Sequence, residues 1–169
     1  MAVILVEGIT DRIALEATAR RLGLDLAADG VEIVPIGGAQ AVARVAVGYA
    51  GVRLAGLCDA GEERYFRRAL GDPVFVCTAD LEDELIRALG PARVEEVLAA
   101  QGDLETFRNF QNQPAWRGRP VEAQLRRWLQ ASDRRGKRYP PLLIEALDAA
   151  ELPPPLAGVL RRIAAAASS

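Results

Sequence analysis

Acidic residues close several apolar segments in the first half of the chain, a position that suits metal-dependent chemistry. Glu7 ends the first apolar run, and Asp11 follows four residues later. Asp59 ends another run, and Asp80 and Glu82 come just after a further one. Carboxylates that meet raise each other's pKa unless a cation joins them, and Mg²⁺ binds oxygen ligands. The sequence therefore predicts an acid cluster, with Asp83 and Glu84 next to it in sequence, of which four or five members could hold one or two Mg²⁺ or Mn²⁺ ions.

Several of these acids also allow simpler roles, with Asp59 as a helix cap or turn residue and Glu82 as a partly exposed surface acid among them. Asp80 has the position of a helix cap, and Asp11 that of a first-turn acid beside a helix dipole. Glu82 lies beside the apolar stripe of its helix, whereas Asp83 and Glu84 are expected to be more exposed.

The elements that must position these acids alternate between strand and helix. Strands are predicted over 3–6, 31–36, 52–58 and 74–77, with a helical pattern after each. This alternation favours a parallel sheet with right-handed crossovers and helices on both faces. Because the carboxyl ends of parallel strands share one edge, where open α/β sheets bind ligands, the acids are expected to meet there. Thr10 is the predicted N-cap of the first helix and Gly23 its predicted end.

Beyond Pro91 the sequence predicts helices and no strand. Their ranges are 91–101, 103–112, 120–131, 140–149 and 155–166, with proline or glycine between several of them. The predicted fold class is therefore α/β: a four-stranded parallel sheet with helices on both faces, plus a C-terminal all-helical extension. The expected domains are residues 1–90 and a basic helical part over residues 91–169 that packs on them.

Charge is divided unevenly along the chain. Residues 1–106 carry 10 basic and 18 acidic side chains, a net charge of −8, whereas residues 107–169 carry 11 basic and 5 acidic, a net charge of +6. This pattern fits an acidic half that holds cations beside a basic half that contacts phosphate. It also fits ordinary solvated helices whose net charges have opposite signs. The best nucleic-acid contacts are predicted in a loop over 134–139, at Arg134, Arg135, Lys137 and Arg138. The helical spacing of nearby Phe107, Phe110 and Trp128 favours core packing over base stacking.

Composition excludes several kinds of site. The chain has no histidine, so Ser-His and Cys-His nucleophilic catalysis are excluded. Cys58 and Cys77 form no CxxC pair, which argues against a zinc site and a disulfide scaffold. No apolar run approaches the roughly 18 residues of a membrane span, and no signal peptide is recognisable. No GxxxxGK[ST] segment occurs, so P-loop ATP hydrolysis is not expected. We expect a soluble cytoplasmic protein.

The acidic segments resemble the TOPRIM domain, the metal-binding fold of topoisomerases, primases and OLD-family nucleases. The resemblance rests on Glu7-Gly8 with Asp11, on Asp59 after the third strand and on Asp80-Leu81-Glu82, and the spacing is most similar to the OLD-family form. It covers roughly residues 1–90. It implies a Rossmann-like fold with Glu7 as a metal ligand or general acid/base and with Asp59 and Glu82 as metal ligands. Asp11 and Asp80 are the second-rank members of the metal site that the resemblance implies.

This sequence departs from the family pattern at one acid. TOPRIM domains usually show Asp-x-Asp after the third strand, and Gly61 stands where the second acid is expected. Glu62 or Glu63 is a possible substitute ligand from the next turn. OLD-family nucleases also carry an ATPase domain before the TOPRIM part. No such domain is recognisable in this sequence, so we expect a stand-alone TOPRIM domain.

Three functions are compatible with the sequence. The first is a divalent-metal-dependent nuclease, or a related phosphodiester hydrolase or transferase, that acts on nucleic acid, DNA being favoured. The second is a non-catalytic TOPRIM module that binds nucleic acid or a protein partner, which the missing acid favours. The third is a phospho-receiver domain with Asp59 as phosphoacceptor. It is disfavoured because Glu7 stands alone where an acidic pair is expected and Lys137 is the only lysine.

Overall fold

A computed structural model describes the backbone of residues 1–167 and the side chains up to residue 165. The last two residues of the Ala-Ser tail, which the sequence predicts to fray, lie outside the described residues. Four strands form one parallel sheet in the order β2-β1-β3-β4. Their bounds are Ala2–Val6 (β1), Val31–Pro35 (β2), Arg53–Asp59 (β3) and Val74–Cys77 (β4). The predicted strands and their parallel arrangement are confirmed.

Nine α-helices surround this sheet in the described part of the chain. They are Ile9–Arg21 (α1), Val42–Val47 (α2), Glu63–Leu70 (α3), Leu81–Leu89 (α4), Pro91–Ala100 (α5), Leu104–Gln111 (α6), Val121–Gln130 (α7), Asp133–Glu145 (α8) and Pro154–Ala167 (α9). Short 3₁₀ turns, Ala39–Ala41 and Ala60–Glu62, precede α2 and α3. No described helix combines the length and the apolar character that a membrane crossing requires.

The central strand β1 is buried on both faces, as its unbroken apolar sequence predicts. Successive side chains of a strand point to opposite faces. Val3 and Leu5 accordingly join one cluster with α2 and α3, whereas Ile4 and Val6 join another with α1, α9 and the other C-terminal helices. Helices therefore cover both faces of the sheet, and the predicted fold class is confirmed.

The C-terminal helices belong to the larger of these two cores. Helix α9 lies directly on β1, β3 and β4, and α8 packs along α1. Buried aromatic residues from this part, Phe107, Trp128 and Tyr139, lie in the same cluster as Ile4 of the central strand. The expected core role of Phe107 and Trp128 is confirmed. The division of the chain at residue 90 stays a prediction.

Three predicted element boundaries are wrong, and one of them is the end of the helix predicted over 140–149, which lies at Glu145. Helix α1 begins after Gly8, and Thr10 lies inside its first turn instead of capping it. Asp11 supplies the cap, because its Oδ2 accepts a hydrogen bond from the Gly8 N–H at 3.0 Å. The predicted loop 134–139 forms the first turns of α8, since the Ser132 hydroxyl accepts the Arg135 N–H and starts the helix there. The helix then continues through Pro140 and Pro141.

Candidate functional site

Four of the five predicted acids line one cleft at the carboxyl edge of the sheet. This acid cleft has a volume of about 320 Å³. Its walls are Glu7, Gly8, Thr10, Asp11, Asp59, Leu81 and Glu82. The acids arrive there because β1 and β3 are parallel neighbours and α4 begins at the same edge after β4. The sequence-based expectation that separated acids meet at one edge therefore agrees with the geometry.

Glu7 stands where β1 leaves the sheet. Its carboxylate Oε2 accepts the backbone N–H of Asp59 at 3.5 Å, which joins the ends of β1 and β3. Its backbone carbonyl accepts two more hydrogen bonds, from the N–H groups of Gly37 and Gly38 at 3.0 and 3.1 Å. Burial raises the pKa of Glu7, and the charge of Glu62 raises it further. Glu7 is thus held in place by its backbone while its carboxylate remains available to accept a proton.

Among the acids of the cleft, Asp59 and Asp11 have the pKa values that are raised furthest. Burial raises the pKa of Asp59 to about 8, and the charges of Glu7 and Asp11 add to the increase. Burial also raises the pKa of Asp11 to about 6, although its hydrogen bond from Gly8 opposes the change. Carboxylates in this condition are neutralised either by protons or by a bound cation.

Glu82 reaches the cleft from the first turn of α4. It is half-buried, and burial raises its pKa against the opposing effect of a hydrogen bond from Gln130. The Gln130 Nε2 lies 3.2 Å from Glu82 Oε2 and 2.8 Å from Asp80 Oδ2. One amide on α7 therefore holds two acids of the Asp80-Leu81-Glu82 segment.

Asp80 does not line the acid cleft. Its Oδ1 caps α4 by accepting the Asp83 N–H at 2.9 Å. Its Oδ2 accepts from Arg126, which forms an ion pair with it at 2.6 Å, and from Gln130. The capping alternative describes Asp80 in this structure, and its role as a metal ligand stays a prediction.

Arg126 and Gln130 are site residues that sequence reasoning missed. They stand one helical turn apart on α7, so both face the start of α4. Their spacing of four residues indicates that both side chains lie on one face of α7. It identifies Asp80 and Glu82 as their partners only when the packing of α7 on α4 is known.

The two proposed substitute acids differ in their surroundings. Glu63 is engaged by Arg67, with Nε and Oε1 2.5 Å apart. Glu62 lies on the wall of a cavity beside Glu7 and raises the pKa of Glu7. The geometry therefore favours Glu62 over Glu63 as an additional ligand.

Glu84 is buried, so the expectation that it is more exposed than Glu82 is wrong. Only 5% of its surface is exposed, and its Oε1 accepts the Thr78 N–H at 2.6 Å. The bond satisfies the backbone where β4 ends, which explains why an acid is tolerated at that position.

The acids suit a hard divalent cation by chemistry, although their side chains are spread apart. Among residues 1–167, no three Asp, Glu or Cys side chains are spaced as a ready-made metal site. All donors in the cleft are oxygens, the ligands that Mg²⁺ prefers. Glu7, Asp59 and Glu82, with Asp11 beside them, are the residues that fit such an ion.

The predicted nucleic-acid contacts lie on α8, and three of the four have intramolecular partners. Arg135 stacks on the Trp128 ring at 3.9 Å from its centroid. Lys137 forms an ion pair with Asp133 at 2.8 Å, and Arg138 donates to Gln101. Arg134 is exposed to solvent. The role of these cations in nucleic-acid binding stays a prediction.

The chain resembles known proteins in sequence over its first part and in fold over nearly all its length. Residues 1–55 match the family described as overcoming lysogenization defect protein-like, TOPRIM domain. The solved C-terminal region of the Burkholderia pseudomallei OLD protein superposes with a TM-score of 0.70 at 18% identity, with 98% of each chain covered. The corresponding region of the Xanthomonas campestris pv. campestris OLD protein gives a TM-score of 0.70 at 19% identity, covering 99% of this chain and 96% of that one. This chain has the OLD-type TOPRIM fold.

The sequence resemblance to this family is therefore confirmed. TOPRIM domains are in general divalent-metal-binding and associated with nucleic acid. The matched segment contains Glu7 and Asp11 and ends before Asp59. No curated protein sequence matches the chain.

Proposed function

We propose that the protein is a divalent-metal-dependent nuclease, with DNA as the favoured substrate. The observation that carries this proposal is the acid cleft, where Glu7, Asp11, Asp59 and Glu82 meet with raised pKa values. Such a group is costly to ionise unless a cation joins it, and the TOPRIM fold is one that binds divalent metals. The OLD-like TOPRIM match supports nuclease-type chemistry on nucleic acid.

The proposed roles follow from where each side chain stands. Glu7, Asp59 and Glu82 would hold Mg²⁺ or Mn²⁺, and Asp11 would support them from α1. The bound ion supplies the charge that lowers the pKa of water and stabilises the phosphodiester oxygens. Glu7 accepts the proton of the attacking water, since its backbone is fixed by two hydrogen bonds at the end of β1 and its carboxylate faces the cleft. Asp80, Arg126 and Gln130 orient the start of α4 and with it Glu82.

Glu7→Gln is the decisive variant for this proposal. We expect it to abolish divalent-dependent nicking of supercoiled DNA and cleavage of single-stranded DNA, because glutamine keeps the shape but accepts no proton. Glu63→Gln is the matched control, since Glu63 pairs with Arg67 and does not line the cleft. Mg²⁺, Mn²⁺ and EDTA reactions measure the metal requirement. Undiminished cleavage by Glu7→Gln would refute the assignment of Glu7, and EDTA-resistant cleavage would refute the metal mechanism.

A non-catalytic TOPRIM module is the second candidate, and Gly61 is the observation that favours it. Because the second acid of the family pattern is absent, this candidate predicts that the chain binds one ion and does not turn over nucleic acid. Calorimetric titration with Mg²⁺ and Mn²⁺ separates the two functions. Metal and nucleic-acid binding by the wild-type chain without cleavage of DNA or RNA would establish the module and overturn the nuclease.

A further inference from the structure

A second cavity adjoins the acid cleft, and Glu7 lies on the walls of both. This cavity, the glycine trough, has a volume of about 600 Å³. Its walls are Glu7, Gly37, Gly38, Ala39, Gln40, Ala41, Arg44 and Glu62. A phosphodiester that reaches Glu7 belongs to a chain of further phosphates, so the strand must leave the acid cleft along an adjoining surface. The trough provides such a surface on the Glu7 side.

Arg44 is the cation of this region. Among the described residues that line either the trough or the acid cleft, it alone carries a positive charge. It is exposed on α2, and no hydrogen bond or ion pair joins its guanidinium to another residue of the described chain. Many other arginines differ in this respect, for example Arg67, Arg108 and Arg126, which each pair with a carboxylate. Arg44 is therefore free to bind an anion from outside.

The floor of the trough leaves the approach to Arg44 open. Gly37 and Gly38 have φ angles of 74° and 110°, which favour glycine, and a Cβ on either would meet no atom within 4 Å. Their N–H groups are already bonded to the Glu7 carbonyl and are not available to a phosphate. Among the side chains that line the trough, Arg44 and the exposed Gln40 are the ones that can donate hydrogen bonds to a phosphate.

We propose that the glycine trough is a subsite for the sugar-phosphate backbone of one nucleic-acid strand, with the Arg44 guanidinium on a phosphate next to the one at Glu7. The proposal rests on the proposed function and deepens it. Glu7 and Glu62 repel a polyanion along this wall. Arg44 offsets that repulsion, because no carboxylate of the described chain pairs with its guanidinium. Guanidinium groups bind phosphate oxygens in bidentate geometry, so the contact also fixes the strand's direction.

Salt-dependent binding of the full chain tests this subsite. Kd is measured for a short fluorescein-labelled single-stranded DNA, its RNA counterpart and the duplex, with Ca²⁺ in place of Mg²⁺, over a series of salt concentrations. Arg44→Ala should raise Kd about three- to fivefold, as the loss of one exposed charge pair does. It should also lower the slope of log Kd against log salt by about 0.7 for single strands or 0.9 for duplex. Arg44→Glu should weaken binding further.

Arg68→Ala is the matched control. Arg68 is exposed on α3, lines neither the trough nor the acid cleft, and has no carboxylate partner among the described side chains. In cleavage assays Arg44→Ala should raise KM and leave kcat unchanged, because it does not reach the acid cleft. A salt slope equal to that of wild type, or an equal effect from Arg68→Ala, would overturn the subsite and leave the nuclease proposal intact. Absence of nucleic-acid binding by wild type would overturn both.

Discussion

Asp59 is the residue whose charge depends most on what else occupies the acid cleft. Its ordinary pKa of 3.8 rises to about 8 in the folded chain, so the folded state retains a proton that the unfolded state releases above about pH 4. The stability that this proton provides is fully present below pH 4 and is lost as the pH rises through 8. A divalent cation that binds the ionised carboxylates reverses the loss.

We therefore expect Mg²⁺ to raise the melting temperature more at pH 8 than at pH 5. Asp59→Asn should melt higher than wild type at pH 8 without metal, because it removes a buried charge, and should lose most of the Mg²⁺ response. Asp29→Asn is the control, since Asp29 lies outside the cleft. Calorimetric scans with and without Mg²⁺ measure both effects. A Mg²⁺ response of equal size in Asp59→Asn would contradict the role of Asp59.

Gly61 stands at the position where the family pattern places a second acid. Its φ lies outside the left-handed region, and a Cβ there would meet nothing within 4 Å. Gly61→Asp should therefore fold and should bind Mn²⁺ more tightly than wild type, by about tenfold if the new carboxylate reaches the ion. Gly61→Asn adds the same bulk without the charge and should not do so. Equal Mn²⁺ affinity of the two variants, measured by calorimetry, would rule out a missing ligand at this position.

At the residue scale, the sequence predicts which acids converge but not what each one contacts. Glu7, Asp11, Asp59 and Glu82 meet because strand ends meet, and that follows from the order of elements. Contacts with distant elements decide whether an acid caps a helix, forms an ion pair or is buried. Asp80 is held by Arg126, 46 positions away. The buried Glu84 accepts a hydrogen bond from the Thr78 N–H at the end of β4. Local spacing carries no information on either.

The contact between α7 and α4 is the element-scale feature that supports the site. Arg126 and Gln130 on α7 hold Asp80, and Gln130 also holds Glu82. Asp80 is nearly buried, so removal of its ion-pair partner leaves a charge with poor compensation. The neighbouring Arg127 is exposed and makes no such contact with Asp80.

Arg126→Ala should lower the free energy of unfolding by about 1 kcal/mol, a modest loss because the Arg126 side chain is partly solvated. It should also weaken Mg²⁺ binding by about tenfold, since the start of α4 positions Glu82. Arg127→Ala should change neither quantity by much. Urea titration and calorimetry measure the two effects. If both variants bound Mg²⁺ as wild type does, α7 would have no part in the metal site.

Element boundaries were predictable where apolar runs and caps coincide, and not where tertiary contacts override local signals. Strand β4 has its predicted limits because an apolar run marks them, and helix α4 begins directly after Asp80, the predicted cap. Gly136 and the Pro140-Pro141 pair suggest a break, yet α8 runs through them. The Ser132 cap and the buried Tyr139, whose hydroxyl donates to Asp103 at 2.5 Å, hold this helix together.

At the scale of the whole molecule, the α/β part and the C-terminal helices share one core. Apolar side chains of α9 pack in the same cluster as Ile4, Val6 and Leu57 of the sheet. Without those helices, one face of the sheet would expose its apolar side chains to water. Their burial contributes roughly 25 cal/mol per Å² of apolar surface, so the loss would exceed the stability of a small domain.

Residues 1–90 alone are therefore expected not to fold, whereas the full chain unfolds in one cooperative transition. Near-ultraviolet circular dichroism and urea titration of both proteins measure the difference. Addition of a separately expressed 91–169 fragment should restore part of the native signal. A cooperative transition of residues 1–90 alone, with dispersed amide resonances, would show instead that the predicted division at residue 90 separates independent folding units.

The two hydrogen bonds from Gly37 and Gly38 to the Glu7 carbonyl fasten the loop after β2 to the end of β1. Since Arg44 follows that loop by a few residues, we expect the separation between its guanidinium and the Glu7 carboxylate to vary little. A nuclease built this way would cleave at a constant number of nucleotides from the phosphate that Arg44 binds. A map of the cut positions along an end-labelled strand would measure that number directly.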